Sequence, residues 1–148
     1  MSDVFLRNFM EAAKKITHAE RCMVVNTDLE LLEMINVDRA MVESTAFGEF
    51  ALECLREAIK SDEVVITNNV ITDPSDAPTT NTNFANLRVV VALPLVGHGA
   101  VYLDQHIRNG IIPRQMIERL MRLATHVREN NLEDSSSAEL VQLFQTLN

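Results

Sequence analysis

Apolar side chains recur at helical spacing from the first residues onward. Phe5, Leu6, Phe9, Met10, Ala12, Ala13 and Ile16 follow the i, i+3, i+4 rhythm and predict a helix over 3–17. On a helical wheel they cover an arc of roughly 160°, wider than the ~100° stripe of a simple surface helix. The rhythm then changes. Arg21–Asn26 has Cys22 and Val24 on one face and Met23 and Val25 on the other, which predicts a strand covered on both sides. Asn26-Thr27-Asp28 is turn chemistry, and Leu29–Val37 returns as a half-exposed strand carrying Glu30 and Glu33.

Thr45 is placed to cap a helix over Phe47–Lys60. Its apolar side is Phe47, Ala51, Cys54, Leu55, Ala58 and Ile59, and its polar side is Glu49, Glu53, Arg56, Glu57 and Lys60. Val64–Thr67 reads as a short strand. Asn68–Asn86, rich in Asn, Thr, Asp and Pro, reads as the longest irregular stretch, and long ordered loops commonly serve as lids or binding loops. Leu87–Val96 is almost wholly apolar and β-branched, the pattern of a central strand. Its Pro94 requires a position where no ladder hydrogen bond is needed. Gly97-His98-Gly99 turns the chain into an antiparallel return over Ala100–Ile107. After Gly110 and Pro113 a helix runs over Arg114–Glu129. Its Met116, Ile117, Leu120, Met121, Leu123, Ala124 and Val127 repeat the spacing of the first helix.

The order is helix, two strands, helix, strand, long loop, two strands, helix. This is α+β: a central, mostly antiparallel sheet of the five strands counted, with the N- and C-terminal helices on one face and a helix plus the long loop on the other. The domain proper is expected to span 1–131. Residues 132–148 then form a linker, Glu133-Asp134-Ser135-Ser136-Ser137, and a short terminal helix, with Ser136 and Glu139 at capping-box spacing.

Charge narrows the range of partners. Thirteen Lys/Arg against twenty-one Asp/Glu make a formal net charge of −8, which disfavours nucleic acid and anionic membranes. The acid concentrates in 28–63, with ten Asp/Glu against three Lys/Arg, while 107–128 holds five Arg and one acid, Glu118. The longest apolar run, Val89–Val96, is far short of the ~18 residues of a membrane helix. Met1–Met10 has no continuous apolar stretch of the signal-peptide kind. With two Cys, a reducing cytoplasm and free thiols are the expectation.

Several segments together resemble a GAF domain. They are Ala19-Glu20-Arg21-Cys22-Met23-Val24-Val25 at the entry into the first strand, Asp73-Pro74 after the third, Ala92-Leu93-Pro94-Leu95, Gly99-Ala100-Val101-Tyr102-Leu103-Asp104, and Pro113–Val127 as the closing helix. The resemblance covers 3–130. A PAS-like sensor is the runner-up fold; it usually lacks a long closing helix. The GAF resemblance implies a sixth strand, in 36–42 or inside the long loop. It also implies a small-molecule pocket between the sheet and Asn68–Asn86. Candidate pocket residues are Asn68, Asn69, Asp73, Thr80, Asn83, Phe84, Val91, Leu93 and Tyr102.

No catalytic carrier and no metal site are expected. Neither Cys22 nor Cys54 is followed by His, so covalent bilin attachment is not expected. His98 and His106 lie at a turn and a strand end, which does not support haem. The Asn-Lys…Phe…Asp-Glu signature of cyclic-nucleotide relatives is absent, so those ligands are not supported either. The ligand itself stays unknown. The expected function is a regulatory sensor that binds a small molecule, or has lost its pocket, and relays a signal to an attached or separate output domain. The alternatives are a methionine-sulfoxide-reductase-like thiol enzyme using Cys22 or Cys54, or a purely structural dimerisation domain. The wide arcs predict a parallel-type homodimer through the terminal helices, with Leu6, Met10 and Ala13 expected to contact Ile117, Met121 and Ala124.

Overall fold

A computed structural model describes residues 2–70 and 87–147, with side chains described over 3–68 and 87–147. Helix α1 (Ser2–Thr17) leads into strands β1 (Arg21–Asn26) and β2 (Leu31–Ile35), then helices α2 (Arg39–Ser44) and α3 (Ala46–Ser61). Strands β3 (Val65–Val70), β4 (Leu87–Leu95) and β5 (Gly99–His106) follow, then a single 3₁₀ turn, α4 (Arg114–Glu129) and α5 (Ser137–Thr146). The sheet order is β2-β1-β5-β4-β3, and every pairing is antiparallel. The α+β expectation therefore holds. Residues 39–42, where a sixth strand was one option, begin α2 instead. Asp38 accepts the Met41 N–H at 2.8 Å, and that cap favours a helical turn over an extended chain.

Each face of the sheet has its own core. On one face, Cys22, Val24, Val91, Leu93, Leu95, Val101 and Leu103 pack against α1, α4 and α5. On the other, Met23, Val25, Val90, Ala92, Ala100 and Tyr102 pack against α3, with α2 beside it. Thr45 caps α3 as its sequence predicts, accepting from the Gly48 N–H. Gly48 has no substitute, because a Cβ there would collide with the Val42 carbonyl of α2. Pro94 lies beyond Ala92, the last β4 residue that β3 pairs with, so no β3 ladder bond is lost there.

The dimer contacts expected from the helical wheel need correction. Leu6, Met10 and Ala13 are fully buried within one chain, and Ile117 nearly so. Only Met121 and Ala124 are half-exposed. The reason is α5. It packs on α1 and, less extensively, on α4, and sends Leu140 and Phe144 into the same core. The sheet covers one side of the α1 arc and α5 the other. Arg119 of α4 helps hold α5. Its guanidinium lies 4.1 Å from the centre of the Phe144 ring and donates to the Phe144 and Leu147 carbonyls at 2.9 and 3.1 Å, satisfying carbonyls the helix end leaves open. At the other end Ser136 and Glu139 form the predicted capping box.

Candidate functional site

A charged network is buried on the α3 face of the sheet. Arg21 opens β1 and lies directly across from Asp104 of β5. The two make a bidentate pair, Nε to Oδ1 at 2.9 Å and Nη2 to Oδ2 at 2.8 Å. Asp104 is wholly buried and Arg21 nearly so. Tyr102, two residues along the same face, donates its hydroxyl to Asp104 Oδ2 at 2.7 Å. Arg88, near the start of β4, reaches Asp104 Oδ1 at 3.4 Å and Glu20 Oε1 at 3.5 Å. Glu20 in turn accepts from the His106 backbone N–H and from Asn109 Nδ2. From α3, Phe47 places its ring 4.4 Å from the Arg21 guanidinium and edge-on to Tyr102 at 5.9 Å.

The members of this network are held unequally. Asp104 receives four donors, two on each oxygen, which fills the acceptor capacity of a carboxylate. It is therefore a hub for the protein's own groups. Arg88 is partly exposed and its two carboxylate contacts are long; good N–H···O bonds cluster near 2.9–3.0 Å. Burial, and after it the Asp104 charge, push the Tyr102 hydroxyl well above its ordinary range, so it remains a donor. Partial burial works against ionisation of Glu20. The His106 N–H, Arg88 and Asn109 outweigh it and hold that carboxyl below its usual value.

The predicted pocket residues do not converge. Val91 and Leu93 face α1 and α4, whereas Tyr102 faces α3. The register explains this. Tyr102 stands opposite Ala92, not Val91 or Leu93, and residues directly opposite share a face. Asn68 stands opposite Val89, on the Val91 side, and is exposed. Asn69 belongs to the β3 backbone; its side chain, with Asp73, Thr80, Asn83 and Phe84, lies outside the described residues. Arg21, Arg88 and Asp104 were not nominated from the sequence. A charge at the mouth of a doubly covered strand, and another closing the apolar run Ala100–Leu103, were the available signals.

Both thiols are buried. Burial pushes Cys22 up to about 12; burial and the nearby Glu53 charge push Cys54 up as well. A reactive thiol needs the opposite, exposure and a cationic neighbour. His98 stacks edge-on to Phe5 with ring centres 5.0 Å apart, and His106 Nδ1 accepts the Arg108 N–H at 3.1 Å. Among the described residues no helix is long and apolar enough to cross a membrane.

Comparison with solved structures finds a similar fold in the crystal structure of a GAF domain/HD domain protein from Geobacter sulfurreducens. The TM-score is 0.55 at 16% identity, over 97% of this chain and 94% of that one. This establishes a GAF-like fold, consistent with the resemblance of the sequence segments. No protein-family model matches the chain, and no curated protein matches it.

Proposed function

We propose that this chain is a regulatory sensor-type domain. It binds a small anionic molecule on the α3 side of its sheet, with Arg88 as the ligand-facing cation, and it works as a cytoplasmic homodimer that relays binding to an output partner. The carrying observation is the inequality within the charged network. Asp104 is saturated, while Arg88 is partly exposed and loosely engaged. A ligand carboxylate or phosphate offers Arg88 shorter, bidentate bonds than its present partners do. Movement of Arg88 toward a ligand changes what Glu20 and Asp104 hold, and through them β1, β5 and the turn at Asn109. The GAF-like fold supports the regulatory reading. The two buried thiols with raised pKa values favour it over a thiol reductase.

Native mass spectrometry of the whole chain as purified from cells, with melting curves in inorganic phosphate and in small carboxylates, tests this reading. The expected result is a small molecule retained by the wild type, or a rise in melting temperature with one of these anions. Arg88→Ala is expected to lose either response while keeping its circular dichroism. A wild type that carries nothing and melts unchanged in every anion overturns ligand binding, and the network is then purely structural. An Arg88→Ala protein that responds like the wild type overturns the role of Arg88.

A further inference from the structure

The face of the sheet opposite Arg88 carries a hollow of its own, of about 240 Å³. It lies where β4 ends, between the start of α1 and the middle and end of α4. Phe5, Leu95, Met121 and Ala124 line it from the apolar core of that face, and Pro94 and Val96 extend the same lining. At ~30 Å³ per water the space equals about eight water molecules, the room that a ring with a short arm needs. The wall is held by the protein's own contacts. The β4–β5 turn folds back, with the His98 N–H donating to the Leu95 carbonyl at 2.8 Å, and the His98 ring stands edge-on to Phe5. The hollow is more enclosed than the one beside Val64 and Ile66.

Three charged side chains border it: Asp62, Arg128 and Glu133. Asp62 is the C-cap of α3, fixed in the left-handed region at φ 56°. Glu133 follows a turn in which the Leu132 N–H donates to the Val127 carbonyl at 2.9 Å. Asp62 and Arg128 are exposed and Glu133 is half-buried. None of the three side chains has a hydrogen bond or ion pair among the described residues. Two carboxylates against one guanidinium leave the rim with one negative charge in excess.

We infer that this hollow is a second ligand site, and that it takes a small organic monocation, an ammonium group on an apolar, ring-sized body. The ammonium meets Asp62 and Glu133 in charge-assisted hydrogen bonds. The body lies against Phe5, Leu95 and Met121, and burying it there favours it over an inorganic cation. A single positive charge neutralises the rim. Arg128 opposes a second one, and an anion meets two carboxylates against one guanidinium. The chain's net charge of −8 also favours the approach of a cation. This site does not depend on the Arg88 reading, because it lies on the other face of the sheet and selects the opposite sign of charge.

A nuclear magnetic resonance titration of the isotope-labelled full-length chain tests the site, with phenethylammonium, phenylpropanoate and methylammonium as probes. Phenethylammonium is expected to shift the amides of 95–98 and 121–128 saturably. Phenylpropanoate has the same body with the opposite charge, and methylammonium has the charge without the body. Both are expected to bind at least about tenfold more weakly. The double variant Asp62→Asn/Glu133→Gln is expected to weaken phenethylammonium binding about tenfold with an unchanged melting curve, since Asn tolerates the left-handed region. Ala124→Leu narrows the hollow and is expected to abolish binding. No saturable response to phenethylammonium, or an equal response to phenylpropanoate, overturns the site as a cation receptor. So does a double variant, or an Ala124→Leu protein, that binds as tightly as the wild type. Phenylalanine adds a carboxylate beside the ammonium; if it binds more tightly than phenethylammonium, Arg128 is a ligand group and the monocation assignment is overturned.

Discussion

The two faces of the sheet are built on different physics. Under α1, α4 and α5 the core is almost wholly apolar, and Leu120, Leu123 and Leu140 are fully excluded from water. Each such side chain contributes roughly 1.5–3 kcal/mol by burial, and none depends on a named partner. Under α3 the core is interrupted by Arg21, Asp104 and Tyr102, which bind one another. Removing two charges from water costs several kcal/mol per ion, and their attraction does little more than offset it. A face built only for stability needs no such network. The apolar face supplies the stability that lets the other one carry charge in its interior, and perturbed polar groups of this kind concentrate at functional sites.

The comparison breaks most visibly at Asp104. Asp104→Leu removes the bidentate carboxylate from the buried Arg21 guanidinium, and a loss of about 3–5 kcal/mol in denaturant unfolding is expected. The double variant Arg21→Met/Asp104→Leu should recover most of that loss, because it removes the buried positive charge as well. If the double variant is no more stable than the single, the network is not the self-contained unit described here. A smaller effect is expected at Tyr102. Tyr102→Phe keeps the ring against Phe47 and withdraws one donor from a saturated carboxylate, for a loss of about 1 kcal/mol. A loss as large as that of Asp104→Leu would mean the hydroxyl, not Arg21, anchors the aspartate.

The smallest expected effect is pH dependence at Glu20. Its pKa in the folded chain lies below its ordinary 4.5, so its stabilisation is fully present above that value and lost as pH falls through the lower, folded one. Unfolding midpoints measured from neutral to about pH 3 should fall more steeply for the wild type than for Glu20→Gln, by a modest amount because the group is partly exposed. Identical slopes would remove Glu20 from the network and leave Arg88 tied to Asp104 alone.

Periodicity carried the architecture a long way. The strand over Arg21–Asn26 and the helix over Arg114–Glu129 are observed with the predicted ends, because both have strong local signals: an apolar run closed by a turn, and a Pro-led amphipathic stretch. Residues 36–42 had no such signal beyond Asp38, and part of α2 took the place of a possible strand. The candidate pocket was less legible. Whether Val91 or Ala92 joins Tyr102 depends on a one-residue choice of register, and such a shift exchanges the faces of a strand. Four of the six expected dimer contacts, Leu6, Met10, Ala13 and Ile117, are buried within the chain for a related reason. An arc of roughly 160° on α1 states that two surfaces must cover it, but not that α5 of the same chain is one of them.

The sequence by itself determined most of the helices and strands, though not α2, that both faces of the sheet are covered, and that the thiols sit on apolar faces. Those properties depend on neighbours a few residues away. Only the tertiary structure decided that Arg21 and Asp104, 83 residues apart, form one ion pair; that Tyr102 turns toward α3; and that α5 closes over α1. These depend on register and on the packing of distant elements, and on burying apolar surface while giving buried charges partners.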